Sequence, residues 1–253
     1  MIAVKGKIVA ESSVIDGYLV IEDGRISEIT QNRPQCETVD LSGRYLVPGF
    51  IDMHIHGIHE FLVDDGPEAL QSICRTLPRY GVTSFLPTVS PLPQGEDAAY
   101  LATLAATPVE GTQILGFHLE GPFLKRTCAL NSDAIQGAGA ERVESLKNAA
   151  KPYKAIFSIA PDVENITDVI PLMAADNTPV FMTHTAANVE QTQKAIALGA
   201  CHATHFYDVF PCPPVTEPGV RPCGIVEAVL ADKNVSVDFI LDGVHVDPIA
   251  VKM

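Results

Sequence analysis

At 253 residues, with 47% hydrophobic content and a mean hydropathy of +0.18, the chain can bury a substantial core, which sets it apart from disordered proteins. Its formal net charge of −14 argues against nucleic acid or an anionic membrane surface as a partner, because neither polyanion gains electrostatically from an acidic protein. No run of about 18 apolar residues is available for a membrane span. The segment Met1–Ala10 lacks the charged start, unbroken apolar core and cleavage site of a secretion signal. The six cysteines, Cys36, Cys74, Cys128, Cys201, Cys212 and Cys223, form no Cys-x-x-Cys pair and read as reduced thiols of a cytoplasmic protein.

Residues 1 to about 45 alternate apolar and polar positions in short pieces: Ala3–Val9, Tyr18–Ile21 and Arg25–Ile29. Asp23-Gly24 lies between the second and third as a hairpin signal. This predicts a small β-element over residues 1–45, followed by the main body over 46–253. From Tyr45 the rhythm changes to strand, loop, helix. Expected strands are Leu46–Met53, Val82–Thr88, Ile114–Leu119, Ala155–Ala160, Pro179–Thr183, His202–Phe206 and Val235–Leu241. Helical periodicity falls between most of them, at Pro67–Tyr80, Asp97–Ala106, Ala140–Ala149, Ile166–Ala175, Val189–Leu198 and Gly224–Ala231. Alternation of this kind predicts an α/β chain of the (β/α)8 TIM-type barrel class, with seven of the eight strands visible.

Several of these apolar runs carry polar residues at their C-terminal ends, where a barrel of this class builds its active site. His54 and His56, two apart on one strand, share a face and can converge on one metal ion. Glu120 precedes Gly121-Pro122, which stop its strand and leave the carboxylate at the mouth. His184 and His205 each close a further run. One carboxylate and four imidazoles make a donor set for one or two divalent cations. Taken singly, each has a plainer reading: a hydrogen-bonded histidine pair near a loop, a carboxylate in a salt bridge, loop histidines. His118 reads as a residue that fills the barrel, with an inward position behind the ligands as the alternative, His202 as structural, His59 as a solvated loop residue, and Asp52 as a residue that orients a ligand from below or caps a barrel layer. His245, presented by the Asp242-Gly243 turn, is balanced between a substrate contact and a loop histidine.

Together, Pro48–Gly57, His118–Phe123, Thr183-His184, Thr204–Tyr207, Glu217-Pro218-Gly219 and Leu241–His245 resemble the N-acetylglucosamine-6-phosphate deacetylase family of the amidohydrolase superfamily. The resemblance runs from the N-terminal β-element to Met253. It implies a barrel flanked by a small β-sandwich, a homodimer, and removal of acetate from a small-molecule amino-sugar phosphate. It also implies a divalent metal, zinc in the first instance, with iron, manganese or cobalt as alternatives. Glu120, His184 and His205 match the main metal site, His54 and His56 the second site of two-metal members, and His245 a substrate-binding histidine. The family's catalytic aspartate, at the end of the eighth strand, is expected beyond Met253, so no catalytic base is assigned and the chain reads as C-terminally truncated.

Three departures concern substrate. Cys128-Ala129-Leu130 stands where the family commonly has Gly-Ala-His, Thr216 replaces a phosphate-gripping arginine, and Asp208-Val209-Phe210 replaces Asn-Ala-Met. Loss of the arginine and gain of Asp208 weigh against a phosphate dianion, and Lys125, Arg126 and Arg221 read as solvated surface charges before they read as compensating cations. Two other readings compete with deacetylation: another amidohydrolase, such as a cyclic amidase or deaminase, and a non-catalytic remnant that binds metal or sugar.

Overall fold

The computed structural model describes all residues from Met1 to Met253, which divide into two compact units, Met1–Phe50 and Ile51–Met253. The first unit holds β1 (Ile2–Val9), β2 (Val14–Glu22), β3 (Arg25–Thr30) and β4 (Glu37–Leu46) in one mixed sheet of order β3-β2-β1-β4. β1 pairs antiparallel with β2, from Ile2 opposite Ile21 to Val9 opposite Val14, and parallel with β4. Asp23 and Gly24 both take positive φ, 49° and 74°, as the tight turn between β2 and β3 requires. The small β-element is therefore a single four-stranded sheet.

The expected strand Leu46–Met53 divides in the structure. Leu46 closes β4, Val47-Pro48-Gly49 interrupts, and β5 spans Phe50–Ile55. Pro48 has no amide hydrogen to give to a ladder, so the run breaks there despite its apolar character. Two short strands, β6 (Gly57–Ile58) and β7 (Phe61–Leu62), then pair as a ribbon.

The second unit is built on β8 (Val82–Val89), β10 (Phe117–Glu120), β11 (Ala155–Ile159), β12 (Val180–Met182), β13 (Ala200–Ala203) and β14 (Ser236–Val237). With β5 they form a sheet of order β14-β13-β12-β11-β10-β8-β5, and the short β9 (Gln113–Ile114) pairs with β8. The registered neighbours from β8 to β14 are parallel. The strands lie in chain order and the sheet curls as part of a TIM-type barrel, with β5 and β14 at its edges. Between them run α1 (Pro67–Thr76), α2 (Glu96–Ala105), α3 (Ala140–Ala149), α4 (Ile166–Met173), α5 (Val189–Leu198) and α6 (Ile225–Ala231), and α7 (Pro248–Lys252) follows β14.

Three strand expectations shorten. Ile114–Leu119 splits at Leu115-Gly116, where a Cβ on Gly116 would lie 2.8 Å from the Ile156 side chain. His202–Phe206 pairs only as far as Ala203, because Thr204 to Tyr207 form a turn. Val235–Leu241 pairs only at Ser236–Val237.

Strand alternation sorts side chains onto the two faces of the sheet. Phe117 and Leu119 of β10, Phe157 and Ile159 of β11, and Val180 and Met182 of β12 join the large core shared with the helices. The opposite face holds a smaller apolar layer of Leu86, Ile156 and Phe181, with Met53 packed against it. One strand step further along that inner face the residues turn polar: Thr88, His118, Ser158 and His202, all nearly solvent-free. Buried polar side chains stacked on an apolar floor carry the site above them.

Candidate metal centre

Glu120 ends β10 with both carboxylate oxygens engaged by imidazoles. Its Oε1 lies 2.9 Å from His205 Nε2 and 3.1 Å from His184 Nε2, while Oε2 lies 3.0 Å from His56 Nε2. His54 Nε2 stands 3.2 Å from His56 Nε2 and 3.8 Å from Glu120 Oε1. Two triads result, His54–His56–Glu120 and Glu120–His184–His205, joined at the shared carboxylate. The five residues expected from sequence as metal ligands thus come together in space.

The strands explain this convergence. His54 lies within β5 and His56 just past its end, so period-2 alternation sends both rings inward. His184 and His205 each lie two residues beyond their strands, with left-handed φ of 48° and 36°. Such backbone is costly for a residue with a Cβ and concentrates at functional sites. The same Thr-His pair repeats at both places, and each threonine reaches a ring from another strand. Thr183 Oγ1 lies 2.8 Å from His205 Nε2, and Thr204 Oγ1 lies 2.8 Å from His54 Nδ1.

Backbone carbonyls fix two more rings. His184 Nδ1 donates to the Arg126 carbonyl at 2.8 Å, while the Arg126 and Lys125 amides donate to the His184 carbonyl at 3.0 and 3.3 Å. His118 Nδ1 donates to the Met53 carbonyl at 3.0 Å, and its Nε2 accepts from the Ser158 hydroxyl. Burial pushes His118 down to about 4, so it is neutral at physiological pH and lies beneath the cluster, edge-on to Phe181 and His54.

Charge in the cluster is one-sided. Burial alone would raise the Glu120 carboxyl, but hydrogen bonds from His184, His205 and His56 outweigh it and hold the group far below the usual carboxylate range. Burial and the neighbouring His118 lower His54 well below an ordinary imidazole. For His205, burial opposes protonation, yet Glu120 and Asp208 draw the ring upward. The centre is thus a buried anion ringed by imidazole nitrogens.

That donor set fits a divalent cation. Imidazole and carboxylate ligands at about 2.0–2.1 Å in tetrahedral array stand roughly 3.3 Å from each other. The nitrogen–oxygen and nitrogen–nitrogen separations here, from 2.9 to 3.8 Å, bracket that spacing. Four imidazole Nε2 atoms and one carboxylate converge on a common space, and a divalent cation there would take their lone pairs in place of the protons that otherwise join them. His205 Nδ1 is buried with no hydrogen-bond partner.

The remaining sequence candidates lie outside this cluster. The Asp208 amide donates to the His205 carbonyl at 3.0 Å, and its carboxylate acts on His205 only through its charge. Thr216 is exposed in the proline-rich segment before α6. His245 is exposed and bonds Asp242 at 2.7 Å, with that carboxyl held at about 2 by the His245 and Val244 amides and the His245 ring. The Lys125 and Arg126 side chains are exposed, and Arg221 pairs with Glu227 at 3.2 Å. His59 bonds the Tyr80 hydroxyl at 3.0 Å on the surface.

Asp238 escaped sequence reasoning. It accepts from His202 Nε2 at 3.0 Å, from the Thr204 hydroxyl at 3.1 Å and from the His205 amide. Burial opposes its ionisation, but the hydrogen bonds from His202 and the His205 amide bring its carboxyl below the ordinary value. The available signal was an acidic residue inside the apolar run Val237-Asp238-Phe239-Ile240, where a charge is tolerated only with partners.

A curled parallel sheet with a histidine–carboxylate cluster at its C-terminal rim defines a class. Residues 45–210 match the Amidohydrolase family, and the chain belongs to it. The chain is 30% identical over 260 residues to the N-acetylglucosamine-6-phosphate deacetylase of Bacillus subtilis, covering 97% of this chain and 64% of that protein. It is 29% identical over 254 residues to the N-acetylgalactosamine-6-phosphate deacetylase of Escherichia coli, covering 98% of this chain and 66% of that one. Among solved structures, N-acetylglucosamine-6-phosphate deacetylase from Pasteurella multocida superposes with a TM-score of 0.84 at 26% identity, covering 99% of this chain and 67% of the other. The chain spans a little under two thirds of the length of the first two curated relatives it matches in this way.

Proposed function

We propose that this chain forms the metal-binding core of a hydrolase that removes acetate from an N-acetylated amino sugar, N-acetylglucosamine 6-phosphate or its galacto epimer in the first instance. The observation that carries the reading is Glu120, one buried carboxylate shared by two pairs of histidines. The similarity to the sugar-phosphate deacetylases of two bacteria supplies the substrate class.

His54, His56, Glu120, His184 and His205 would hold the ions, and zinc is the proposed metal because imidazole and carboxylate are among its preferred donors. A bound divalent cation supplies an acidified water near neutral pH and polarises an amide carbonyl. Glu120, held ionised, would offset one unit of the positive charge of a bound cation. Arg126 fixes the His184 ring through its carbonyl, and the dry floor of His118, Phe181 and Ile156 keeps the local dielectric low. Asp208, Thr216 and His245 are proposed as substrate-facing residues. With Thr216 and Asp208 at their positions, phosphate recognition falls to cations such as Arg126 and Lys125 on the loop after Glu120.

The test is acetate release by the zinc-loaded chain from the two N-acetylhexosamine 6-phosphates and their unphosphorylated forms, with Glu120→Gln as control. Release from a 6-phosphate, lost in Glu120→Gln, supports the reading. Zinc uptake without acetate release from any of the four sugars makes this chain a metal-binding core that is not a deacetylase by itself.

A further inference from the structure

We propose that Asp238, acting through the Thr204 hydroxyl, is a positioning residue that holds His54 with its proton on Nδ1 and its Nε2 lone pair aimed at His56 and Glu120. The proposal rests on the metal-centre reading for its purpose but not for its geometry.

The argument is a count of protons. Asp238 accepts from three sides, from His202 Nε2, the Thr204 hydroxyl and the His205 amide, whose N–H can only donate. His202 can spare its Nε2 proton because its Nδ1, at 2.8 Å, is the nearer of the two acceptors facing the Ser236 hydroxyl, the other being the Cys201 carbonyl at 3.5 Å. Thr204 has a single proton. Its hydrogen bond to a carboxylate is charge-assisted and outcompetes one to a neutral imidazole. With that proton given to Asp238 at 3.1–3.2 Å, Thr204 Oγ1 faces His54 Nδ1 at 2.8 Å with lone pairs only. His54 must therefore donate from Nδ1, and its Nε2 is left unprotonated 3.2 Å from His56 Nε2.

The opposite arrangement costs two interactions. With the proton on Nε2, Thr204 would turn its hydroxyl toward His54, Asp238 would lose a donor in a buried setting, and an N–H would point into the cluster where a cation belongs. The relay crosses three strand ends: His54 on β5, Thr204 after β13 and Asp238 after β14. The two edge strands of the curled sheet are thus tied to one metal ligand through a threonine.

Long-range proton–nitrogen correlation spectra of the metal-free, histidine-15N-labelled chain read the tautomer directly, with the His54 signal assigned by its loss in His54→Gln. The expected result is the Nδ1–H form in the wild-type chain, giving way to a tautomeric mixture in Thr204→Val and in Asp238→Asn, and restored in Thr204→Ser. An Nε2–H ring in the wild-type chain, or a signal unmoved by both Thr204→Val and Asp238→Asn, overturns the proposal. Zinc titration of the same samples separates the two readings. Thr204→Val is expected to weaken the His54–His56 ion by about 10–100-fold while the Glu120–His184–His205 ion keeps its affinity. Failure of the wild-type chain to bind zinc would remove the metal-centre reading and leave the tautomer result standing. Two ions bound with unchanged affinity in Thr204→Val would reject the relay and leave the centre intact.

Discussion

His205 Nε2 and Glu120 Oε1 meet at 2.9 Å, although 85 residues separate them in the chain and both side chains are almost wholly buried. Adjacent barrel strands do not bring them together, since β11 and β12 intervene between β10 and β13. Curling of the sheet does, by turning every inward side chain at its C-terminal rim toward one axis.

Glu120 serves both triads, so its replacement empties both. Glu120→Gln removes the anion while keeping shape, and the amide presents N–H groups to the histidines. Zinc content measured by elemental mass spectrometry is expected to fall from two ions per chain to none at micromolar free zinc. The expected loss of affinity is at least about 100-fold, larger than the usual effect of a residue behind the ligands. One ion retained at full affinity would contradict a shared carboxylate.

The Arg126 clamp on His184 runs through backbone, not through the guanidinium. Arg126→Ala is therefore expected to leave zinc affinity within about threefold of wild type, whereas His184→Ala removes the ion of the Glu120–His184–His205 triad. If Arg126 recognises phosphate, the same variant raises KM for a 6-phosphate sugar and leaves that for the unphosphorylated sugar unchanged. Isothermal titration with zinc and initial-rate kinetics check the two halves.

Phe181 is the largest side chain of the small inner layer, and its ring packs on His118 and His202 at centroid distances of 5.1 and 4.5 Å. Phe181→Ala opens a cavity directly beneath the cluster. A loss of about 3–5 kcal/mol in unfolding free energy is expected from urea denaturation, together with weaker zinc binding as the His118 and His202 rings lose their support. A loss under about 1 kcal/mol would mean that the inner layer contributes little to the barrel.

The cysteines differ in reactivity through burial. Cys74 is buried on the inner face of α1, and burial pushes its thiol up to about 12, with only a small opposing effect from Arg75. A raised thiol pKa means less thiolate at any working pH, so Cys74 stays protonated and unreactive through pH 9. Cys128, Cys212 and Cys223 are exposed. Native-state alkylation at pH 8 followed by peptide mass mapping is expected to label those three rapidly and Cys74 only after denaturant is added. Prompt labelling of Cys74 would show that α1 opens readily.

The strand and helix rhythm from Val82 to Ala231 was legible because each element is apolar with a clear period and is punctuated by Gly, Pro or a cap such as Asn188 with Gln191. The five cluster residues were legible because they are polar residues at the ends of such runs. Strand limits were less so. Thr204–Phe206 reads as a continuation of β13, yet His205 takes left-handed backbone where its ring meets Glu120.

By itself the sequence determined the βα order and the set of potential ligands, because periodicity and residue chemistry are local properties. Only the tertiary structure decided that Glu120 is shared, that His118 lies below the cluster as a neutral support, and that Asp238 reaches His54 through Thr204. Those relations join residues up to 184 positions apart, and they depend on the curl of the sheet and on the direction in which each hydroxyl gives its proton. No linear pattern encodes either, since both are set by which neighbours the folded chain brings within hydrogen-bond reach.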